Sequence, residues 1–209
     1  MAETKDDPVK FVEDAILRHQ ERVQKFYKTL WKRIKSVLAP LKKFLKDLLA
    51  AAKTLIKTVG KAVINKLTSA IRAILDLLNR LEKMLKSIIL LGKRILATLR
   101  KAKDQVKAIR FLKTVVRKYV EFIKQVWAMI ADLGKQISIL DAAVAVLDTF
   151  NSVLSFLFNW ISALIKGIAM MTRNTGRHLK QGLKAFVKER KEAIQLGRYV
   201  AKMPVPKPG

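Results

Sequence analysis

Apolar residues recur along this chain at steps of three and four, the spacing of helices that bury one face. Val23, Phe26, Leu30, Ile34, Val37, Leu41, Phe44 and Leu48 share one face of a 3.6-residue repeat, while Lys28, Lys32, Lys35, Lys42 and Lys46 fall largely on the other. The stripe continues through Leu55, Val59, Val63, Leu67, Ile71, Ile74, Leu78, Leu81, Leu85 and Ile88. It then tightens. Ile109, Leu112, Val116, Tyr119, Ile123, Val126, Ile130, Leu133, Ile137, Leu140, Val144 and Leu147 alternate steps of three and four without exception. This heptad-like seam predicts long helices packed as antiparallel hairpins, a bundle or a coiled coil. A single helix over 105–147 would be about 64 Å long, unless Gly134 divides it.

Interruptions are few. The chain has eight glycines and five prolines, three of the prolines lie in the terminal "MPVPKPG", and no alternating valine- or threonine-rich segment is bounded by turns. A sheet therefore has nowhere to form, and the fold class is all-α. Asp6 and Asp7 ahead of Pro8 read as a helix start. Pro40 removes a backbone donor and predicts a kink near Leu38 and Ala39. Gly60 or Gly92 is expected to bend or end the second stripe. Reversals are expected at Gly60, between Lys101 and Gln105, and around Asn174 and Gly176, where Asn and Gly suit a helix end. The resulting division is a basic amphipathic region (1–104), a heptad-like helix followed by a neutral apolar one (105–172), a basic helix (173–203) and a Pro-rich tail (204–209).

Charge adds what periodicity cannot. Lys and Arg number 43 against 16 Asp and Glu, a formal net charge of +27, far beyond the roughly 2 to 8 that keeps a small domain soluble. An anionic partner is expected: nucleic acid, an acidic protein surface or anionic lipid. The residues expected at phosphates or lipid headgroups are Lys28, Lys32, Lys35, Lys42, Lys43 and Lys46, with Lys53, Lys57 and Lys61 extending the track, and a second stripe of Arg177, Lys180, Lys184, Lys188 and Lys191. Recognition would be by charge, since no helix-turn-helix, zinc-finger or RRM pattern is present.

Between the basic zones lies an uncharged island. "FNSVLSFLFNWISALIKGIAMM", residues 150–171, has one charge, Lys166, and residues 149–165 have none. Seventeen uncharged residues sit at the lower edge of the roughly 17 to 25 that cross a bilayer. Asn151 and Asn159 count against exposure to lipid. Trp160 suits an interface, and Arg173, Arg177 and Lys180 suit the anionic side. Two expectations follow: one membrane-embedded helix, or a helix buried against others or used for self-association. Phe150, Leu154, Phe156, Leu157, Phe158, Trp160, Ile161, Leu164 and Ile165 are the apolar or membrane contacts in either case.

Candidate chemistry is sparse. Without cysteine there are no disulfides, thiol nucleophiles or Cys-based zinc sites. His19 lies in the stripe of Ile16 and Val23 and is expected at the boundary of the helix packing; His178 joins a basic cluster. Asp141 and Asp148, seven apart, read as a helix–helix polar contact. "GLKAFVKERKE" and "TVGKAVINK" lack the P-loop spacing, and the N-terminus lacks the h-region of a signal peptide. No catalytic residue, metal or cofactor is expected.

The expected function is a non-enzymatic structural component of a large assembly, such as a minor capsid protein of a virion or a part of another multiprotein particle. It packs against its own copies or other subunits by apolar seams and neutralises polyanions through lysine-rich faces. The alternatives are a membrane-associated protein that binds, embeds in or perforates anionic bilayers, and a sequence-nonspecific nucleic-acid compactor. The cellular location stays open between a particle interior and a membrane. Far-UV circular dichroism should show helix with negligible sheet; a sheet fraction near the roughly 20–25% of average proteins would overturn the fold class.

Overall fold

The computed structural model describes residues 7–33, 59–157 and 159–207, together with 36, 40, 43, 46, 47, 50, 53 and 57. Ile34, Lys35, Val37, Leu38, Ala39, Leu41, Lys42, Phe44, Leu48, Leu55 and Phe158 lie outside the described residues, and the kink expected near Leu38 and Ala39 lies there with them. Among the described residues the fold is an all-α, five-helix bundle without strands. Its helices are α1 (Pro8–Phe26), α2 (Lys61–Lys101), α3 (Gln105–Thr149), α4 (Asn151–Leu157) and α5 (Asn159–Lys202). A π-helical turn, Tyr27–Trp31, follows α1.

The helix ends obey local chemistry. Asp7, in extended backbone, caps α1 by accepting from the Lys10 amide at 3.1 Å, and Pro8 occupies the position where its missing amide costs nothing. Gly60 has φ +99 immediately before α2, a left-handed conformation that suits glycine. Between α2 and α3 only Ala102–Asp104 intervene, and the Asp104 carboxylate accepts from the Val106 amide at 2.9 Å. After Lys202 the chain leaves the helical state, with Pro204 and Pro206 unable to donate a further helical bond.

The single helix expected over 105–147 is present, and the expected reversal at Asn174 and Gly176 is corrected. Gly134 does not divide α3, which runs 45 residues. Nor does the chain reverse at Asn174 and Gly176, because α5 continues through both and past residue 172. The reason is tertiary: Thr172 and Thr175 are buried in the same stripe as Ile168, Met171 and Leu179. Thr172 satisfies its hydroxyl by donating to the Ile168 carbonyl at 2.8 Å. Packing of that face outweighs the local preference of Asn and Gly to end a helix.

These helices contribute to two compact units. The first comprises Met1–Thr29, Leu81–Ala128 and Leu183–Gly209. In it the α1 segment runs antiparallel to that of α2, since Glu13 faces Arg100 at 3.8 Å, Gln20 faces Ile89, and Tyr27 just beyond faces Glu82. It is likewise antiparallel to the α5 segment: the rings of Phe11 and Tyr199 lie 4.8 Å apart and those of Phe26 and Phe186 lie 5.0 Å apart. Val12, Ile16, Val23, Leu85, Ile88, Leu112, Val116, Ile123, Val126 and Phe186 are buried there, each contributing about 1.5–3 kcal/mol on the usual scale.

The second unit comprises Leu30–Arg80 and Met129–Gly182. Leu67, Ile71, Ile74 and Leu78 of α2 are buried in it, with Ile130, Leu133, Leu140 and Leu147 of α3. The expectation of a membrane-embedded helix is corrected here, and with it the description of the chain as membrane-associated. Among the described residues no helix is long and apolar enough to cross a membrane. The island opens on a turn at Phe150, which separates it from α3. Its Leu154, Ile161, Leu164, Ile165 and Ile168 are buried, while Asn159 and Lys166 on other faces are exposed. An amphipathic helix with one covered face has no all-round apolar surface to offer lipid.

Three helical glycines separate by what a methyl group would meet. At Gly134 and Gly176 an added Cβ finds only Leu179 at 3.8 Å and Ile137 at 3.6 Å, ordinary contacts. At Gly92 it would fall 1.9 Å from the Gln20 Oε1 atom. Gly134→Ala and Gly176→Ala should each stabilise by about 0.5–1 kcal/mol through helix propensity. Gly92→Ala should destabilise by about 1–3 kcal/mol, because it displaces a buried hydrogen-bonded amide. Urea denaturation of the three variants checks this, and a stabilising Gly92→Ala would refute the Gln20 contact.

Candidate functional site

The cations chosen from sequence are all at the surface where they are described. In the second unit Lys32, Lys43, Lys46, Lys53, Lys57, Lys61, Arg177 and Lys180 are exposed; in the first, Lys28, Lys184, Lys188 and Lys191 are. Of these, Lys188 lies 4.0 Å from the Glu192 carboxylate. Every other described Lys or Arg is also exposed except Arg22, Lys113 and Arg190.

The apolar candidates divide. Leu154, Ile161, Leu164 and Ile165 are buried and Phe150 is half-buried, whereas Phe156 is 89% and Trp160 52% exposed. Phe158 and the side chain of Leu157 lie outside the described residues. Ile109, Leu112, Val116, Tyr119, Ile123, Val126, Ile130, Leu133, Ile137, Leu140, Val144 and Leu147 are without exception buried by the chain itself. That seam has no free apolar face for a neighbour. Asp141 and Asp148, expected at a helix–helix polar contact, are both exposed, and Asp148 lines a cleft with Lys166, Arg173 and Arg177 of α5.

The sequence reading missed a buried polar cluster in the first unit. His19, placed in advance at the packing boundary, is 2% exposed, and three helices converge on it. Its Nδ1 lies 2.6 Å from the Tyr119 hydroxyl of α3. Its Nε2 lies 3.3 Å from the Glu189 carbonyl and 3.2 Å from the Glu189 Oε2 of α5. Both partners of Nε2 are acceptors when the carboxyl is ionised, so Nε2 carries the hydrogen, and Nδ1 accepts from Tyr119. The longer Tyr119 approach to Gln20, 3.5 Å, is the weaker alternative. Gln20 in turn donates to the Ile89 carbonyl at 2.6 Å.

Arg22 closes the cluster towards solvent. Its Nε is 3.0 Å from Glu189 Oε1 and its guanidinium pairs with Glu192. Arg22 Nε and Glu189 Oε2 make no directed hydrogen bond, so these contacts are mainly ionic. Burial lowers the His19 pKa to about 4 and the positive Arg22 adds to that, against the carbonyl of Glu189 and the charge of Glu192, which raise it. Burial raises Tyr119, with the Glu189 charge assisting. Glu189 is also raised by burial, Arg22 opposing. Desolvation thus favours the neutral form of all three groups.

This geometry ties three helices together at one point. The adjoining cavity, lined by Ala15, Arg18, His19, Arg22, Glu192 and Leu196, is only about 60 Å³, far below the roughly 300–1,000 Å³ of ligand sites. His178 is half-buried, with its Nδ1 unpartnered. No group of three or more His, Cys, Asp or Glu side chains converges as metal ligands do among the described residues. Comparison with known proteins finds no matching family model, no matching curated relative and no matching solved structure.

Because the His19 pKa is depressed in the folded chain, its contribution is present above the ordinary value of 6.5 and is lost as pH falls through about 4. Glu189 acts oppositely: its raised pKa gives stability present below the ordinary carboxyl value and lost as pH rises through the folded one. Chemical denaturation between pH 6.5 and 4 should therefore show falling stability, by about 3 kcal/mol from His19 alone. His19→Gln should flatten this slope. Tyr119→Phe should cost about 1–3 kcal/mol at pH 7 by leaving Nδ1 without a donor. An imidazole that titrates near 6.5 by NMR would contradict the buried placement.

Proposed function

We propose that this protein is a non-enzymatic structural component that neutralises a polyanion, binding it through charge and not through sequence. The observation that supports this reading is the uncompensated cationic surface: described lysines and arginines point to solvent almost without exception, while few acids are placed to pair with them. Exposed ion pairs between α2 side chains, such as Arg80 with Asp76 at 3.5 Å, are isolated and contribute little. Like charges left facing solvent raise the local potential and draw in phosphate chains over a Debye length.

Assembly with other subunits belongs to the same proposal but has to use a different surface from the seam. Val153, Phe156, Trp160 and Met170 are the large exposed apolar side chains of the island among the described residues, and a neighbour that covered them would bury aromatic area, which dominates interface energetics.

Duplex DNA of arbitrary sequence serves as the probe. Binding should weaken steeply with salt, with a log–log slope of about −0.9 for each phosphate neutralised. Replacing Lys28, Lys32, Lys43 and Lys46 by Gln should reduce the slope by about 0.9 for each lysine that faces a phosphate, with unchanged melting temperature. Affinity indifferent to salt, or confined to one DNA sequence, would sink the proposal.

A further inference from the structure

A cavity in the first unit has a composition that polyanion binding does not require. It lies between α3 and α5, measures about 320 Å³, and has an apolar floor that includes Val116, Val120 and Val200. Val116, Val120 and Val200 are buried beneath the cavity, and half-buried Ile194 and exposed Ala201 supply its accessible apolar surface. Gly197 keeps the two helices close at this level, since a Cβ there would meet Val120 Cγ2 at 3.0 Å. Around that floor stand Lys113, Arg117, Lys124 and Arg198 against a single acid, Glu121. Lys113 is engaged, donating to the Ala201 carbonyl at 3.4 Å. Arg117 and Arg198 are exposed and have no ion pair among the described residues.

We propose that this groove binds a small amphiphilic monoanion of the fatty-acid type, its aliphatic chain over Ile194 and Ala201 and its carboxylate between Arg117 and Arg198. The volume falls at the lower end of small-molecule sites. Charge complementarity selects the head: four cations and one carboxylate disfavour a cation and leave a neutral headgroup without a charged partner. A guanidinium suits a carboxylate because it presents two parallel donors. The apolar surface still accessible at Ile194 and Ala201 selects the tail, because covering it is favourable and a fully hydrated phosphate gains nothing from it. The polyanion reading uses neither the floor nor Gly197, and the two proposals fail separately.

Titration calorimetry with decanoate, decanol and acetate tests it, with methyl NMR to locate the ligand. Decanoate should bind with one-to-one stoichiometry and shift the methyl signals of Val116, Val120 and Val200, and acetate and decanol should bind at least about tenfold more weakly. Arg117→Gln combined with Arg198→Gln should weaken decanoate about tenfold. Ala201→Trp, at an exposed position on the cavity wall, should block it while leaving the melting temperature and DNA affinity unchanged. Absence of decanoate binding, equal binding by both variants and the parent, or acetate binding as tight as decanoate would each overturn the proposal.

Discussion

Helices that carry a net charge of +27 are held together by one thing, a stripe of apolar residues that the chain covers with its own segments. The repulsion among exposed lysines is softened by water and salt, whereas the attraction is not: each buried Leu, Ile or Val removes area from water at about 25 cal/mol per Å². Geometry follows from that inequality. Lysines sit on the outward faces because the inward faces are taken, and one face of the uncharged island goes to the interior as well. Leu154, Ile161, Leu164 and Ile165 are needed there.

Stripes of Leu, Ile and Val do not specify register strongly, because a shift by two turns brings similar residues into similar holes. The cluster of His19, Tyr119 and Glu189 supplies what they lack. Each of the three comes from a different helix, and the ring of His19 meets the Tyr119 hydroxyl on one side and the Glu189 backbone carbonyl on the other. Sliding any one helix by a turn would leave buried polar atoms unpaired at about 1–3 kcal/mol each. Gln20 and Gly92 act in the same sense, since the amide fits only where a side chain is missing. Buried polar groups are better at choosing between packings than at stabilising one.

The fold was legible because its signal is periodic, and periodicity survives without any knowledge of partners. All twelve seam residues from Ile109 to Leu147 are buried, and the start at Pro8, the break at Gly60 and the loop before Gln105 lie where local capping chemistry puts them. Two kinds of feature were not legible. Asn174 and Gly176 carried a local helix-ending preference that the burial of Thr172 and Thr175 overrides. The cluster at His19 was hidden because its members lie 100 and 170 residues apart. A faint signal existed: Tyr119 is the one hydroxylated side chain in the seam, and Glu189 occupies an apolar step three residues after Phe186.

The membrane and polyanion readings of the same lysines come apart on what happens to the apolar faces. A helix that adsorbs to lipid along its whole apolar face needs that face free, so such binding has to be coupled to opening the bundle. In this chain that means exposing the island residues now buried, at a cost of the order of the burial energy of each side chain, about 1.5–3 kcal/mol. A polyanion requires no such opening. On the proposed reading it would meet lysines already at the surface and relieve their mutual repulsion, so its binding and the stability of the bundle would reinforce one another through linkage. The side of the helices that carries the charge is therefore free to act while the side that carries the fold stays closed.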